Sequence, residues 1–269
     1  MKSASPVSLG NSAGYVHGTH CIAARDPHIL TYSMSICGRP KYLNQRNQSN
    51  FLVHRPRRIH ASDPATRFLQ DIIEDYANEW LSKMMFHYRW AVPENADHVA
   101  PLLVYWMMPQ VAEGPANAFA ASFAARQIGR LGVVGSNNAT AATIEASYLR
   151  VLKLLDSIVA SQPFLFGVRP SVADFAVFGQ FTQLLTIEPT SAAIARENAP
   201  RLRAWIDHLE DATGNAADEN GWLSREAAAT ILRPLLSEIG RTYVPYMQTN
   251  AATHAAGEKE VMVEIDGAP

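Results

Sequence analysis

Residues 164–175 read FLFGVRPSVADF and contain the most specific local signal in the chain. The Ser171 hydroxyl can accept a hydrogen bond from the backbone N–H of Asp174. In return, the Asp174 carboxylate can accept one from the N–H of Ser171, which makes a capping box with Asp in the usual place of Glu or Gln. A cap of this kind organises the start of a helix. We therefore predict a structural role for Ser171 and Asp174, at the beginning of a helix that starts near residue 172.

The segment that follows the box is apolar on nearly every side. Residues 172–187 read VADFAVFGQFTQLLTI. A helix that is apolar all round must be buried. We expect residues 172–186 to form the central helix of the fold.

Upstream of the box, residues 62–92 predict a long amphipathic helix. Asp63 can cap its free amides, and Pro64 suits the first helical position. Apolar side chains then recur at i, i+4 spacing in two adjacent rows. The rows are Phe68, Ile72, Tyr76, Trp80, Met84 and Tyr88, and Leu69, Ile73, Ala77, Leu81 and Met85. The helix is expected to end before Pro93.

The same spacing predicts further helices at about 116–131, 141–160, 191–198, 201–212 and 225–240. Residues 62–245 therefore form an all-α domain. The remaining tail, 246–269, ends in KEVMVEIDGAP. Its alternation predicts a strand that runs into Asp266-Gly267, a dipeptide favoured in tight hairpin turns.

Composition argues against membrane and nucleic-acid partners. The chain has 269 residues, 48% of them hydrophobic, and a net charge of -2. It contains no run of about 18 uncharged apolar residues, as a membrane span requires, and its overall charge attracts neither nucleic acid nor anionic lipid. The charge is uneven, however, since residues 1–60 hold eight Lys and Arg against one acid. Residues 1–61 thus form a separate basic head with no sustained periodicity.

Cys21 and Cys37 are the two cysteines of the chain, and both lie in the head. The helical body can therefore have no disulfide framework. The low cysteine content predicts a protein of a reducing compartment. No apolar secretory segment follows Lys2, so we expect a cytoplasmic protein. The acid-poor head also resembles a transit peptide in composition, although it lacks an amphipathic helix. The spacing of His17, His20 and the two cysteines fits no zinc knuckle, and no metal site is predicted.

Three segments together resemble the C-terminal domain of glutathione S-transferases, over about residues 62–245. They are FLQDIIEDYANEWLSKMMFHYRW at 68–90, the capping box within GVRPSVADFAVFGQF at 167–181, and APRLRAWIDHLED at 199–211. The resemblance implies that family's all-α helical bundle. It also implies glutathione as co-substrate, an electrophilic small molecule as second substrate, and a possible homodimer.

The resemblance further implies a catalytic group in the head. The family stabilises the glutathione thiolate with a Ser, Tyr or Cys just after the first strand of a thioredoxin-like domain. Residues 29–47, ILTYSMSICGRPKYLNQRN, resemble that strand and the turn into the next helix. Ser33, Ser35 and Cys37 stand at the activating position, and we take Ser35 and Cys37 as the candidate catalytic residues. The middle strands of such a domain have no counterpart in QSNFLVHRPRRIH at 48–60. The head therefore resembles an irregular remnant of that domain, through truncation or a frameshift.

In the helical body, the resemblance implies a second-substrate pocket. The candidates are Tyr88, Arg89, Trp90, Tyr105 and Trp106. Aromatic side chains with one cation suit a hydrophobic electrophile. Alternatively, these residues pack in the core and Arg89 contacts Asp75 or Glu79. The corresponding alternative function is a non-catalytic helical interaction or dimerisation module, or a relic that lacks the glutathione site.

Overall fold

A computed structural model describes residues 59–212, 218–258 and 261–268. The candidate catalytic residues Ser35 and Cys37 lie outside these ranges, as do the other head residues up to 58. Within the described ranges the fold is all-α and contains no sheet, which confirms the predicted fold class.

The helices of the described ranges are α1 (Pro64–Tyr76), α2 (Ser82–Ala91), α3 (Pro93–Met107), α4 (Glu113–Ile128), α5 (Ala141–Val159), α6 (Val172–Thr186), α7 (Pro189–Asn198), α8 (Pro200–Glu210) and α9 (Arg225–Ala255). A π-helical turn (Ala77–Leu81) joins α1 to α2, and short 3₁₀ turns lie at Leu131–Val134 and Glu219–Gly221.

The helical path from α1 to α2 begins and ends where the sequence predicts. Asp63 Oδ2 accepts a hydrogen bond from the N–H of Thr66 at 2.9 Å, and Pro64 occupies the first turn. The path ends at Ala91, before Pro93. The π-helical turn inserts an extra residue midway and so interrupts the strict i, i+4 rows. Phe68, at the outer end of one row, is 62% exposed.

The predicted central helix is confirmed. α6 begins at Val172 and ends at Thr186, packs against α1, the π-helical turn, α7, α8 and α2, and buries most of its side chains. Phe181 of α6 is fully buried and stacks on the Tyr148 ring of α5, with centroids 6.4 Å apart. The main core therefore forms around α6, as expected for a helix that is apolar all round.

The helical hairpin of α3 and α4 differs from the sequence prediction. α3 was not predicted, because Pro93 and Pro101 interrupt its pattern; Pro93 starts the helix and Pro101 lies inside it. α4 spans Glu113–Ile128 rather than 116–131. Pro115 lies within its first turn, where backbone N–H groups have no intrahelical partner to lose. This hairpin forms a second, smaller core cluster with Trp90.

The C-terminal part also differs from prediction. α9 continues to Ala255 although Pro234 and Pro245 lie inside it, so the predicted boundary at 245 falls within a helix. The predicted strand is wrong for residues 261–268, where the described chain forms only a two-residue turn. The turn itself is at the predicted Asp266-Gly267. Along the described residues, no helix combines the length and the hydropathy needed to cross a bilayer.

Candidate functional site

The capping box at α6 ties three backbone segments together. Asp174 Oδ2 accepts from the N–H of Ser171 at 2.8 Å and from its hydroxyl at 2.6 Å, and Oδ1 accepts from the N–H of Leu165 at 2.7 Å. The N–H of Asp174 donates in return to Ser171 Oγ at 3.4 Å. Both side chains are fully buried, and burial raises the pKa of Asp174 to about 6. The box therefore fixes the loop at 164–167 against the first turn of α6, which is a structural role.

The head joins the helical body beside this box. The carbonyl of Ile59 accepts a hydrogen bond from the N–H of Val172 at 3.0 Å, and the N–H of Ala61 donates to Gln70 Oε1 at 2.8 Å. A cleft of about 450 Å³ opens next to the junction. Asp63 and Arg225, which form an ion pair, both line it. The last residues of the head are thus anchored at the N-terminal end of the central helix.

The predicted substrate-binding residues of α2 lie in the interior. Tyr88, Arg89 and Trp90 are only 3%, 4% and 4% exposed. Tyr88 packs on the Tyr148 ring, with centroids 4.9 Å apart, and Trp90 meets Phe123 of α4 edge-on at 5.8 Å. These contacts match the alternative in which Tyr88 and Trp90 pack in the core.

The other two predicted substrate-binding residues, Tyr105 and Trp106, are half-exposed near the end of α3. Tyr105 packs against the same small cluster as Trp90, whereas Tyr88 belongs to the main core. Tyr88 is therefore in a different cluster from Trp90 and Tyr105. None of the five candidates lines the cleft beside the head.

Arg89 is paired with Glu188, at the junction between α6 and α7. Its Nε donates to Glu188 Oε1 at 2.5 Å, and its Nη2 donates to Gln183 Oε1 at 2.7 Å. The expectation that Arg89 contacts Asp75 or Glu79 is therefore wrong. These two acids lie on the same helical path about 15–21 Å away, at 1.5 Å per residue. Asp75 instead accepts from the Tyr243 hydroxyl at 2.6 Å.

A short polar network links residues that neighbour Arg89 and Glu188 in the sequence. Asn95 Nδ2 donates to the carbonyl of Tyr88 at 2.7 Å and to Thr190 Oγ1 at 2.6 Å, and the N–H of Thr190 donates to Asn95 Oδ1 at 3.2 Å. Burial raises the pKa of Glu188, while the adjacent guanidinium opposes the shift. The network connects the α2–α3 junction to the α6–α7 junction. No local sequence pattern indicates it, because Arg89 and Glu188 are 99 positions apart and Asn95 and Thr190 are 95 positions apart.

His87 forms a second buried polar contact that the sequence did not indicate. Its Nδ1 lies 2.8 Å from Ser136 Oγ, and its Nε2 lies 3.5 Å from Glu145 Oε1. Burial lowers the pKa of His87. The order of Ser, His and acid resembles a hydrolytic triad, but Ser136 is 3% exposed and its hydroxyl cannot meet a substrate. The three residues connect α2, the loop before α5, and α5 itself.

Comparison with known families agrees with the architecture. Residues 137–208 match the family described as "Glutathione S-transferase, C-terminal domain". The matched range covers α5, α6, α7 and most of α8, and it includes the capping box. No match was found among curated proteins or among solved structures. Residues 137–208 of the helical body are therefore similar to the C-terminal domain of glutathione S-transferases.

Proposed function

We propose that this chain is a glutathione-dependent transferase that acts on electrophilic small molecules. The observation that supports the proposal is the family match over residues 137–208, in a domain that begins its central helix with the Ser171–Asp174 box. The proposal includes a cytoplasmic protein that assembles as a homodimer.

The proposed chemistry requires a group in the head that activates the thiol of glutathione. An ordinary thiol has a pKa of about 8.5 and is mostly protonated at pH 7. Ser35 would donate a hydrogen bond to the bound thiolate, which suits conjugation. The Cys37 thiolate would attack a mixed disulfide of glutathione and a substrate thiol, forming a bond to the glutathione sulfur and releasing the substrate thiol. A second glutathione thiolate would then release Cys37 and leave as oxidised glutathione, which suits thiol transfer. The two residues thus correspond to two reactions of the same co-substrate.

The helical domain would supply the electrophile side of the site. Tyr105 and Trp106 are half-exposed and can contact a ligand directly. Tyr88, Arg89 and Trp90 lie behind the surface and would shape the pocket through their packing. An aromatic wall of this kind favours a flat, apolar electrophile.

The alternative is a helical interaction module without chemistry of its own. One observation favours it: Arg89, the cation of the proposed pocket, is buried and paired with Glu188. In that case the aromatic residues only pack, and no glutathione is bound.

Retention on immobilised glutathione separates the two functions. The full chain should bind the matrix, should be released by free glutathione, and should then conjugate glutathione to a chromogenic aryl halide. A matrix that carries free cysteine in place of glutathione is the control. Absence of both retention and conjugation would reject the transferase in favour of the interaction module.

A further inference from the structure

The tail returns to the helical body through a tight turn. The N–H of Ile265 donates to the carbonyl of Ala268 at 2.8 Å, and the N–H of Ala268 donates back at 3.0 Å. Between them, Asp266 and Gly267 have φ values of 54° and 78°. Positive φ at both central residues is typical of the two-residue hairpin turn that favours Asn, Asp and Gly. The backbone at Asp266 is therefore held in a tight two-residue turn.

The Asp266 carboxylate bridges two helices. Its Oδ2 accepts from Arg150 Nη2 of α5 at 2.9 Å, and its Oδ1 accepts from Arg241 Nε of α9 at 2.7 Å. The side chain is only 17% exposed. Each oxygen thus has its own guanidinium, an arrangement that suits any carboxylate, including one that is not part of the chain.

The two arginines belong to a cleft of about 440 Å³ between α5 and α9. The cleft is lined by Arg150, Lys153, Leu154, Pro234, Ser237, Glu238 and Arg241. Three of these residues are cations and one is an acid, so the lining carries two positive charges in excess before Asp266 is counted. Asp266 supplies one negative charge, which leaves an excess of one.

The cleft is pre-formed on its α5 side. Glu238 is 5% exposed and accepts from Arg150 Nη2 at 2.8 Å, which holds the guanidinium in place. The Ser147 hydroxyl donates to the same carboxylate at 3.1 Å. Lys153, in contrast, is exposed and forms no ion pair with any residue that the structure describes. The Arg150 guanidinium, held by Glu238, and the exposed Lys153 ammonium therefore line one cleft.

We propose that this cleft binds small dicarboxylates, and that Asp266 is a built-in ligand that occupies the place of one carboxylate. The first carboxylate of the ligand would replace Asp266 between Arg150 and Arg241, and the second would reach Lys153. Because Asp266 competes, the apparent affinity of the wild-type chain is the intrinsic affinity multiplied by the fraction of molecules in which the turn is undocked. The site shares no residue with the proposed transferase site, so each can be tested without the other.

Asp266→Asn tests the proposal with little change of shape, since Asn also favours positive φ in this turn. Succinate binding is measured by titration calorimetry and by thermal unfolding, with sodium chloride added to equalise ionic strength. The variant should bind succinate at least tenfold more tightly than the wild type. At a tenfold excess over its Kd, succinate should raise the Tm of the variant by about 3–6 °C. Acetate, with a single carboxylate, should bind the variant more weakly than succinate does.

Two further variants make the test specific. Asp207→Asn removes the same charge from an exposed pair with Arg203 on α8, and it should bind succinate no better than the wild type. Adding Arg241→Ala to Asp266→Asn should abolish the gain. Equal succinate binding by the wild type, Asp266→Asn and Asp207→Asn, or no binding by any of them, would overturn the proposal. A gain that survives Arg241→Ala would overturn it as well.

Discussion

The Arg89 guanidinium and the Glu188 carboxylate form an ion pair in the protein interior, with side-chain exposures of 5% and 0%. The pair joins α2 to Glu188, which occupies the N-cap position of α7. Both ions have left water, and their attraction offsets that cost only while both are present. The contact between α2 and the α6–α7 junction therefore depends on the pair as a unit.

Arg89→Met should be strongly destabilising, because it leaves Glu188 buried without its counter-ion. We expect the free energy of unfolding to fall by about 3–5 kcal/mol, measured by urea denaturation. The control is Arg203→Met, which removes a more exposed i, i+4 pair with Asp207 and should cost less than about 1 kcal/mol. The double variant Arg89→Met/Glu188→Leu should recover much of the loss. Similar losses in both single variants would contradict the role of burial.

Asp174→Ala should lower the thermal stability of the domain. The substitution leaves the buried N–H groups of Leu165 and Ser171 without their acceptor, and each unsatisfied donor costs about 1–3 kcal/mol. We expect a total loss of about 2–4 kcal/mol, measured as a lower Tm by calorimetry. Asp63→Ala removes the more exposed cap of α1 and should lower the Tm by less than Asp174→Ala does. An unchanged Tm for Asp174→Ala would reject the structural role of the box.

Features that depend on neighbouring residues could be predicted from the sequence, whereas contacts between residues far apart in the chain could not. α6 was predicted with its correct ends, because its cap and its apolar surface are both local signals. α3 was missed because Pro93 and Pro101 resemble breaks, although the first starts the helix and the second is tolerated inside it. Arg89 was recognised as notable, but its partner lies 99 positions away. No local pattern identifies a partner at that distance.

Protonation of Asp174 gives the stability a specific pH dependence. Burial raises its pKa from 3.8 to about 6. Between these values the folded chain retains a proton that the unfolded chain has released, so the contribution of Asp174 to stability falls as pH rises from about 4 to about 6 and is level above that range. Two pKa units correspond to about 3 kcal/mol. The stability of the wild type relative to Asp174→Asn, measured by urea denaturation at several pH values, should decline across this window. A difference that stays constant or increases with pH would contradict the assignment.

Ionisation of His87 should change stability with pH in the opposite direction. Burial lowers its pKa below the ordinary value of 6.5, so the unfolded chain binds a proton that the folded chain resists. The contribution of His87 to stability is complete above about pH 6.5 and is lost as pH falls below that value. Compared with His87→Asn, which does not titrate, the wild type should therefore lose stability on acidification. Urea denaturation of both proteins from pH 7.5 to pH 5 measures the difference, and a difference that does not fall with pH would be inconsistent with a buried neutral imidazole.

Substitutions at Ser35 and Cys37 test the proposed chemistry of the head. If Ser35 donates the hydrogen bond to the glutathione thiolate, Ser35→Ala should reduce conjugation by about 10²-fold, as the loss of one donor to a developing anion does. If Cys37 forms the mixed disulfide, Cys37→Ala should abolish disulfide reduction, since no other thiol can replace it at that position. Conjugation of an aryl halide and reduction of a glutathione mixed disulfide are measured side by side for both variants. Cys21→Ala, which removes the other cysteine of the head, is the control and should retain both activities. Equal rates in the parent chain and in both variants would remove Ser35 and Cys37 from the mechanism.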